Sequence, residues 1–263
     1  MQFDRSANFF NIGGFATGTI NLNGTSEETH FSYNINIDRP EFELVQMEIL
    51  KSKGFYNGKS LHVEMAQAKN KNGQINTSGY IPFDLNIGSV DFGSFFPNDS
   101  IILKTDADLS DLPFLSPYIT DLDSAAGNYK IKLNIEGPIN NLKRDGSILI
   151  QNGIFYTQLL NDPIRFINGE ALLTNNKLTI ENFSAGIALD EGNSVKEKFS
   201  NTQLKGEVKL NSFFEPDYDL ELLSKNASFK LLFLDIYGKT DLDLSIFGKD
   251  TVYIEGKIEP EDV

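Results

Sequence analysis

Carboxylates at alternate positions are the first candidates for chemistry in this chain. Asp106/Asp108, Asp241/Asp243 and Glu259/Glu261 each place two acids two residues apart. In a strand such residues share a face, so each pair projects in one direction. A glycosidase needs its two carboxyl groups to converge across a cleft. The neighbours of the first two pairs put them on an outward, polar face, where solvated charge explains them. His30 and His62 are the two histidines. His30 borders a strand start, and His62 sits between Leu61 and Val63 on the polar side, so both read as surface histidines rather than metal ligands. Gly13-Gly14 lacks a following Lys-Ser/Thr and a helix, so it is no phosphate-binding loop. Asn-x-Ser/Thr sequons at Asn23, Asn76, Asn98, Asn182 and Asn226 are as frequent as chance allows in an Asn-rich chain. The expectation is a non-catalytic protein with no cofactor and no metal.

Composition narrows the class. The chain has 263 residues, 40% of them hydrophobic, enough for one or two compact domains or one extended one. Lys plus Arg is 23 and Asp plus Glu is 37, a net charge of −14. No basic cluster exists that could displace counterions from nucleic acid. The acidity suits a sheet-rich protein that must stay soluble and resist edge-to-edge pairing. With no cysteine, disulfides and thiolate metal sites are excluded, and the compartment stays open. No stretch approaches the ~20 apolar residues of a membrane-spanning helix. The longest apolar-rich run, Leu231 to Tyr237, contains Asp235. Met1 to Arg5 has no apolar signal-peptide core. If the protein belongs to a cell envelope, its export signal or anchor is expected outside this chain, which would make it a fragment.

The elements that carry these residues are strands. Phe31, Tyr33, Ile35 and Ile37 alternate with Ser32, Asn34, Asn36 and Asp38. The same period of two runs through Ile101 to Leu109, Tyr129 to Glu136, and Asp241 to Ile246. Each run predicts a strand with one apolar and one polar face. Asn57-Gly58, Asn72-Gly73, Asp145-Gly146, Asn152-Gly153, Asn168-Gly169 and Asn175-Asn176 read as the turns between strands, because Asn and Gly tolerate positive φ. Helical spacing occurs only at Leu112 to Leu122, where Pro113 and Pro117 limit it to a turn or two. A second irregular stretch is expected near Leu231 to Ile236.

The pattern repeats. Gly14 to Gly24, Gly127 to Gly137 and Gly238 to Gly248 are glycine-bounded segments of equal length, about 112 residues apart. Their apolar positions align as Ile20/Leu133/Leu244 and Leu22/Ile135/Ile246. The segments upstream match as well, with about six strands per unit. The whole of 1–263 reads as one repetitive region, with approximate repeats 14–126 and 127–237 and a partial one at 238–263. Such repeats stack in one dimension. About fifteen strands advancing ~4.8 Å each would make a body on the order of 70 Å long.

The run Gly137-Pro-Ile-Asn-Asn-Leu-Lys-Arg-Asp-Gly146-Ser-Ile-Leu-Ile-Gln-Asn-Gly153-Ile-Phe155 resembles the recurring unit of the TamB/AsmA-like family of bacterial envelopes. That unit has a strand ending in Gly, a Pro-containing link, then Gly-x-Ile-x-Ile and an Asn-Gly before an aromatic. Pro163 to Gly169, Leu178 to Phe183, Gly54 to Gly58 and Gly79 to Leu85 fit the same pattern. The resemblance implies a long curved sheet folded lengthwise into a groove. It also implies a periplasmic protein anchored in the inner membrane that carries phospholipid between membranes, with an outer-membrane barrel as a possible partner.

The fold expected is all-β: an elongated, curved antiparallel sheet with an apolar groove. An apolar sheet face must be covered by a helix, a second sheet or itself, and no long helix is available. The alternatives are a closed sandwich or barrel, or a sheet curved around a lumen filled by side chains or by acyl chains. The repeat favours an open trough. Ile20, Leu22, Ile131, Leu133, Ile135, Leu242, Leu244 and Ile246 are expected to line it, with Phe31, Tyr33, Ile35, Ile101 and Leu103 extending the wall. Besides lipid carriage, two other functions fit: an assembly factor templating client strands by β-augmentation, and a passive β-solenoid adhesin or spacer.

Overall fold

The computed structural model describes residues 12–42, 45–96, 98–111, 122–157, 163–186, 200–210, 216–231, 236–249 and 251–261. Their regular structure is entirely strand. The strands are β1 (Ile12–Gly24), β2 (Thr29–Phe42), β3 (Val45–Gln46), β4 (Ile49–Tyr56), β5 (Leu61–Asn70), β6 (Gly73–Ile81), β7 (Ser100–Asp111) and β8 (Leu122–Pro138). They continue as β9 (Lys143–Thr157), β10 (Ile164–Thr174), β11 (Lys177–Gly186), β12 (Thr202–Leu210), β13 (Pro216–Leu231), β14 (Ile236–Gly248) and β15 (Tyr253–Glu261). The two irregular stretches anticipated at Leu112 to Leu122 and Leu231 to Ile236 fall largely outside the described residues.

All fifteen strands belong to one sheet whose order follows the chain, with two-residue β3 set aside against β2. The strand pairs are antiparallel, and β1 and β15 do not pair with each other, so the sheet is not closed into a barrel. The chain forms two compact units. Unit 1 is Met1–Leu103 with Pro138–Asn140, and unit 2 is Lys104–Gly137 with Asn141–Val263.

The glycine-bounded segments all lie within single strands: β1, β8 and β14. Six steps along the sheet path separate β1 from β8, and six separate β8 from β14. β1 and β14 end on a glycine of positive φ, and β8 ends one residue beyond one: φ is 92° at Gly24, 117° at Gly137 and 120° at Gly248. At each, a Cβ would meet the carbonyl oxygen of the next turn: Glu28 at 2.2 Å, Asn141 at 2.7 Å and Thr251 at 2.1 Å. Only glycine fits such a turn, which is why the spacing shows in the sequence.

Three of the anticipated turns are not turns. Asp145-Gly146 and Asn152-Gly153 lie inside β9, and Asn168-Gly169 lies inside β10. Gly146 sits where a Cβ would be 2.0 Å from the Lys132 carbonyl, a close approach of the neighbouring backbone. Asn152 (φ 53°) and Phe166 (φ 53°) mark bulges. The β8–β9 pairing slips between Ala126 and Asn128, β9–β10 between Ile164 and Gly169, and β10–β11 between Arg165 and Ala171. The Asn168 side chain holds this irregularity, since its Nδ2 donates to the Phe166 carbonyl at 2.7 Å and its Oδ1 accepts the Asn152 amide at 2.9 Å. A bulge bends its strand. Bulges at neighbouring positions bend several strands along one line, a crease within unit 2. The most completely buried residues of unit 2, including Ala125, Tyr129 and Ala227, lie along or near that line.

Candidate apolar binding face

Register decides which side chains share a face, because directly paired residues of antiparallel strands project to the same side. In unit 2 one row runs through all eight strands from β8 to β15: Ile131, Ile148, Ala171, Ile180, Gly206, Leu220, Ile246 and Ile254. Beside it runs Leu133, Gly146, Leu173, Leu178, Val208, Tyr218 and Gly248. On the other side Phe183, Leu204, Leu222, Leu244 and Gly256 are paired in turn. These rows form one uninterrupted apolar surface. Their central members Ala171, Leu173, Ile180 and Val208 are buried, as is Ile150 two residues beyond Ile148 on the same face, while Ile131, Leu133, Leu220, Leu244 and Ile246, with Ile135 and Leu242 on the same side of their strands, are half-buried.

The reverse face of unit 2 is charged. Lys177 reaches Glu207 at 2.7 Å and Lys205 reaches Glu221 at 2.7 Å, both between partly exposed groups. Such pairs contribute little stability, about 0–1 kcal/mol each, and serve mainly to keep that face in water. Asp241, one of the alternating carboxylates, accepts from Lys225 Nζ at 2.5 Å and from the Asn226 amide at 2.8 Å. The Lys225 bond, then the amide, hold its carboxyl below the usual range. It anchors the bulge where Asn226 takes φ 49°.

Polar groups close both ends of the apolar rows. At the hairpin end, Ile135 pairs with Arg144, a buried guanidinium whose Nη1 donates to the Leu210 carbonyl at 2.8 Å. Burial draws its pKa below the usual arginine value. At the crease end, the buried Thr202 and Ser224 hydroxyls are 2.7 Å apart, and Ser224 donates to the Asn201 carbonyl at 3.0 Å. The Tyr129 hydroxyl donates to the Ala126 carbonyl at 2.8 Å. Burial, then the charge of Asp111, push its pKa up to about 12.

Unit 1 has the same design. Leu22, Phe31, Tyr56, Leu61 and Ile81 form one row, and Ile20, Tyr33, Gly54, Val63 and Gly79 the next. Ile35 lies in a third row with Gly18, Ser52, Ala66 and Thr77. A Cβ on Gly79 would lie 1.9 Å from the Ile102 carbonyl and 3.0 Å from Leu103 Cα. The paired glycines Gly18, Gly146, Gly206 and Gly256 show the same signature against their partners, so Leu103 stands opposite Gly79 and extends that row. Ile101, on the same side of β7 as Leu103, is buried. Ile20 and Leu22, on the outermost strand, are 63% and 58% exposed. Among the thirteen residues expected to line a groove, those in unit 1 share one face of that unit and those in unit 2 share one face of theirs.

His62 lies on the reverse face of unit 1, stacked on Phe55 with ring centroids 4.4 Å apart and near Tyr80 at 5.6 Å. His30 faces Glu28 at 3.6 Å. Among the described residues no group of three or more His, Asp or Glu could hold a metal.

Sequence reasoning missed a strap. The connection from β6 to β7 folds back over the end of unit 1's apolar rows. The Tyr56 hydroxyl accepts the Leu85 amide at 3.0 Å and the Asn86 Nδ2 at 3.3 Å. Asn86 also donates to the Gly58 carbonyl at 3.0 Å and accepts the Thr29 amide at 2.9 Å. The Ile87 amide donates to Thr29 Oγ1 at 3.2 Å, and the Gly88 amide to the Ser26 carbonyl at 2.6 Å. Asp84 ties the strap to itself through Ser89 Oγ at 2.5 Å and the Asn86 amide at 2.9 Å. Tyr56, Thr29 and Asp84 are buried here. Phe83, Leu85 and Ile87 alternate with Asp84 and Asn86, so a search by period does not tell the start of this segment from another strand. Its one signal was its length between two clear strands.

Among the described residues the arrangement offers an apolar surface, a polar border and no assembled set of reactive groups. In comparisons with known proteins, no family model, curated protein or solved structure matched the chain.

Proposed function

We propose that this chain is a lipid-carrying segment of a larger bacterial envelope protein of the TamB/AsmA-like kind. Its apolar face receives phospholipid acyl chains while the headgroups stay at the polar border. In this reading it works in the periplasm and supports outer-membrane biogenesis, with the membrane anchor elsewhere in the full-length protein. The supporting observation is the apolar row that keeps register across all eight strands of unit 2, with no helix over it among the described residues. An acyl chain laid on such a surface gains ~0.8 kcal/mol per CH₂ removed from water. Neighbouring strands offer nearly equal sites, so a chain can move from one to the next without a high barrier. The test is mass spectrometry of the purified chain after gentle extraction. Phospholipid bound in stoichiometric amount supports the reading, and its absence from protein prepared with excess phospholipid opposes it.

One observation favours a second reading as well. Among the described residues β1 is an outer strand, paired by β2 only, and its sequence Ile12–Gly24 carries no charged residue. Edge strands are ordinarily protected by charge or proline. An unguarded edge suits β-augmentation by a client strand, the assembly-factor alternative.

A further inference from the structure

The strap that closes one end of unit 1 has two sides. Its inner side is fixed by the Tyr56, Asn86 and Thr29 hydrogen bonds described above. Its outer side presents Ile87 at 61% exposure, Phe92 at 56%, Phe95 at 43% and a fully exposed Val90. Phe95 also packs edge-on against Phe83 with centroids 4.8 Å apart, so the tip is built on a fixed base. Several large apolar side chains exposed within one short connection are costly in water unless they meet an apolar phase.

The repeat shows that the sheet does not need this loop. Ser94-Phe95-Phe96-Pro97 stands before β7, and Ser212-Phe213-Phe214-Glu215-Pro216 stands at the equivalent place before β13. In the second repeat only residues 211–215 separate β12 from β13. In the first, residues 82–99 separate β6 from β7. The extra length in the first repeat is the part that carries Ile87, Val90 and Phe92.

We propose that the tip of this strap inserts into the interface of a zwitterionic lipid bilayer and docks unit 1 on a membrane. The occupant follows from exposure and charge. Val90 is fully exposed and Ile87 and Phe92 are more than half exposed, so the tip suits a deformable apolar phase rather than a pocket-filling ligand. It contains no Lys or Arg, and Asp91 sits between Val90 and Phe92. With a chain of net charge −14, this favours uncharged headgroups over anionic ones. The proposal deepens the lipid-carrying reading, because acyl chains must enter the apolar face from a bilayer.

The chain has no Trp, so Phe92→Trp gives a single reporter, and Leu172→Trp on the charged face of unit 2 gives its control. With phosphatidylcholine vesicles, Phe92→Trp should shift to the blue and be quenched by brominated acyl chains, while Leu172→Trp should not. Phosphatidylglycerol in the vesicles should weaken the effect. Val90→Asp should lower vesicle binding about tenfold. An unshifted Phe92→Trp would overturn the proposal, and so would a shift that appears without vesicles on raising the protein concentration, since that marks self-association. Lipid labelling at Leu133 with detergent-solubilised phospholipid separates the two readings. Labelling there without vesicle insertion removes the docking tip alone, and insertion without labelling removes the carrying face alone.

Discussion

The Tyr56 hydroxyl accepts the backbone amide of Leu85 at 3.0 Å, joining a side chain in an apolar row to a loop that lies outside every strand. Tyr56→Phe keeps the ring stacked on Phe31, whose centroid is 5.4 Å away, and removes only the acceptor. The loss should cost about 1–2 kcal/mol. It should appear as faster hydrogen exchange at Leu85 to Gly88 with the strands unchanged. Unchanged exchange there would show that the strap is held by something else.

The strap should also open in acid. The hydrogen bonds from Ser89, then from the Asn86 amide, hold the Asp84 carboxyl below its ordinary range. A depressed folded pKa contributes stability above the ordinary carboxylate pKa, and that stability is lost as pH falls through the folded value. Exchange in residues 84–89 should therefore rise below the ordinary Asp pKa, and Ser89→Ala should move the onset to higher pH.

Leu133 and Ile150 separate an open face from a packed interior. Leu133 is half-buried and Ile150 is buried. Leu133→Asp should leave the circular-dichroism spectrum and the melting cooperativity nearly intact while lowering lipid retention, because a single carboxylate there can hydrate. Ile150→Asp buries an unpaired charge and should destabilise unit 2 by several kcal/mol. Equal loss of folding in both would mean the face is a closed core.

Gly206 continues the long apolar row at φ 131°, where a Cβ would be 2.2 Å from the Asp219 carbonyl. Gly206→Ala should destabilise by about 2 kcal/mol or more, from strain and from the displaced strand. Gly238 has nothing within 4 Å of a built Cβ, so Gly238→Ala should be neutral or slightly stabilising. Denaturation midpoints of the two variants check the contrast.

Tyr129 sets an alkaline limit. Its pKa, pushed up to about 12 by burial and by Asp111, lies above that of an unfolded tyrosine at ~10. Between the two values the unfolded chain has released a proton that the folded one keeps. Stability is therefore full below the unfolded pKa and falls as pH rises toward the folded one. Ultraviolet titration should show a late phenolate that is absent in Tyr129→Phe.

The sequence carried the strands well because alternation is a local consequence of a half-buried sheet. Leu133, Ile135, Leu244 and Ile246 could be placed on one side of their strands from period alone. The repeat was visible because Gly24, Gly137 and Gly248 share a turn that excludes a Cβ. Asn152 and Asn168 misled, since Asn152 takes its positive φ in a bulge rather than a turn and Asn168 serves that bulge through its side chain; only the neighbouring strand decides between the two uses. The Tyr56–Asn86–Thr29 network was illegible because it joins residues far apart in the chain with no period to betray them.

Photocrosslinking from Leu133 and its outward neighbour Lys132 tests the central claim most directly. With a photoreactive side chain at each position and phospholipid supplied, the account requires lipid labelling at position 133 and little at 132. Equal labelling at both, or none at either, would contradict it and leave the apolar rows as an ordinary protein interior.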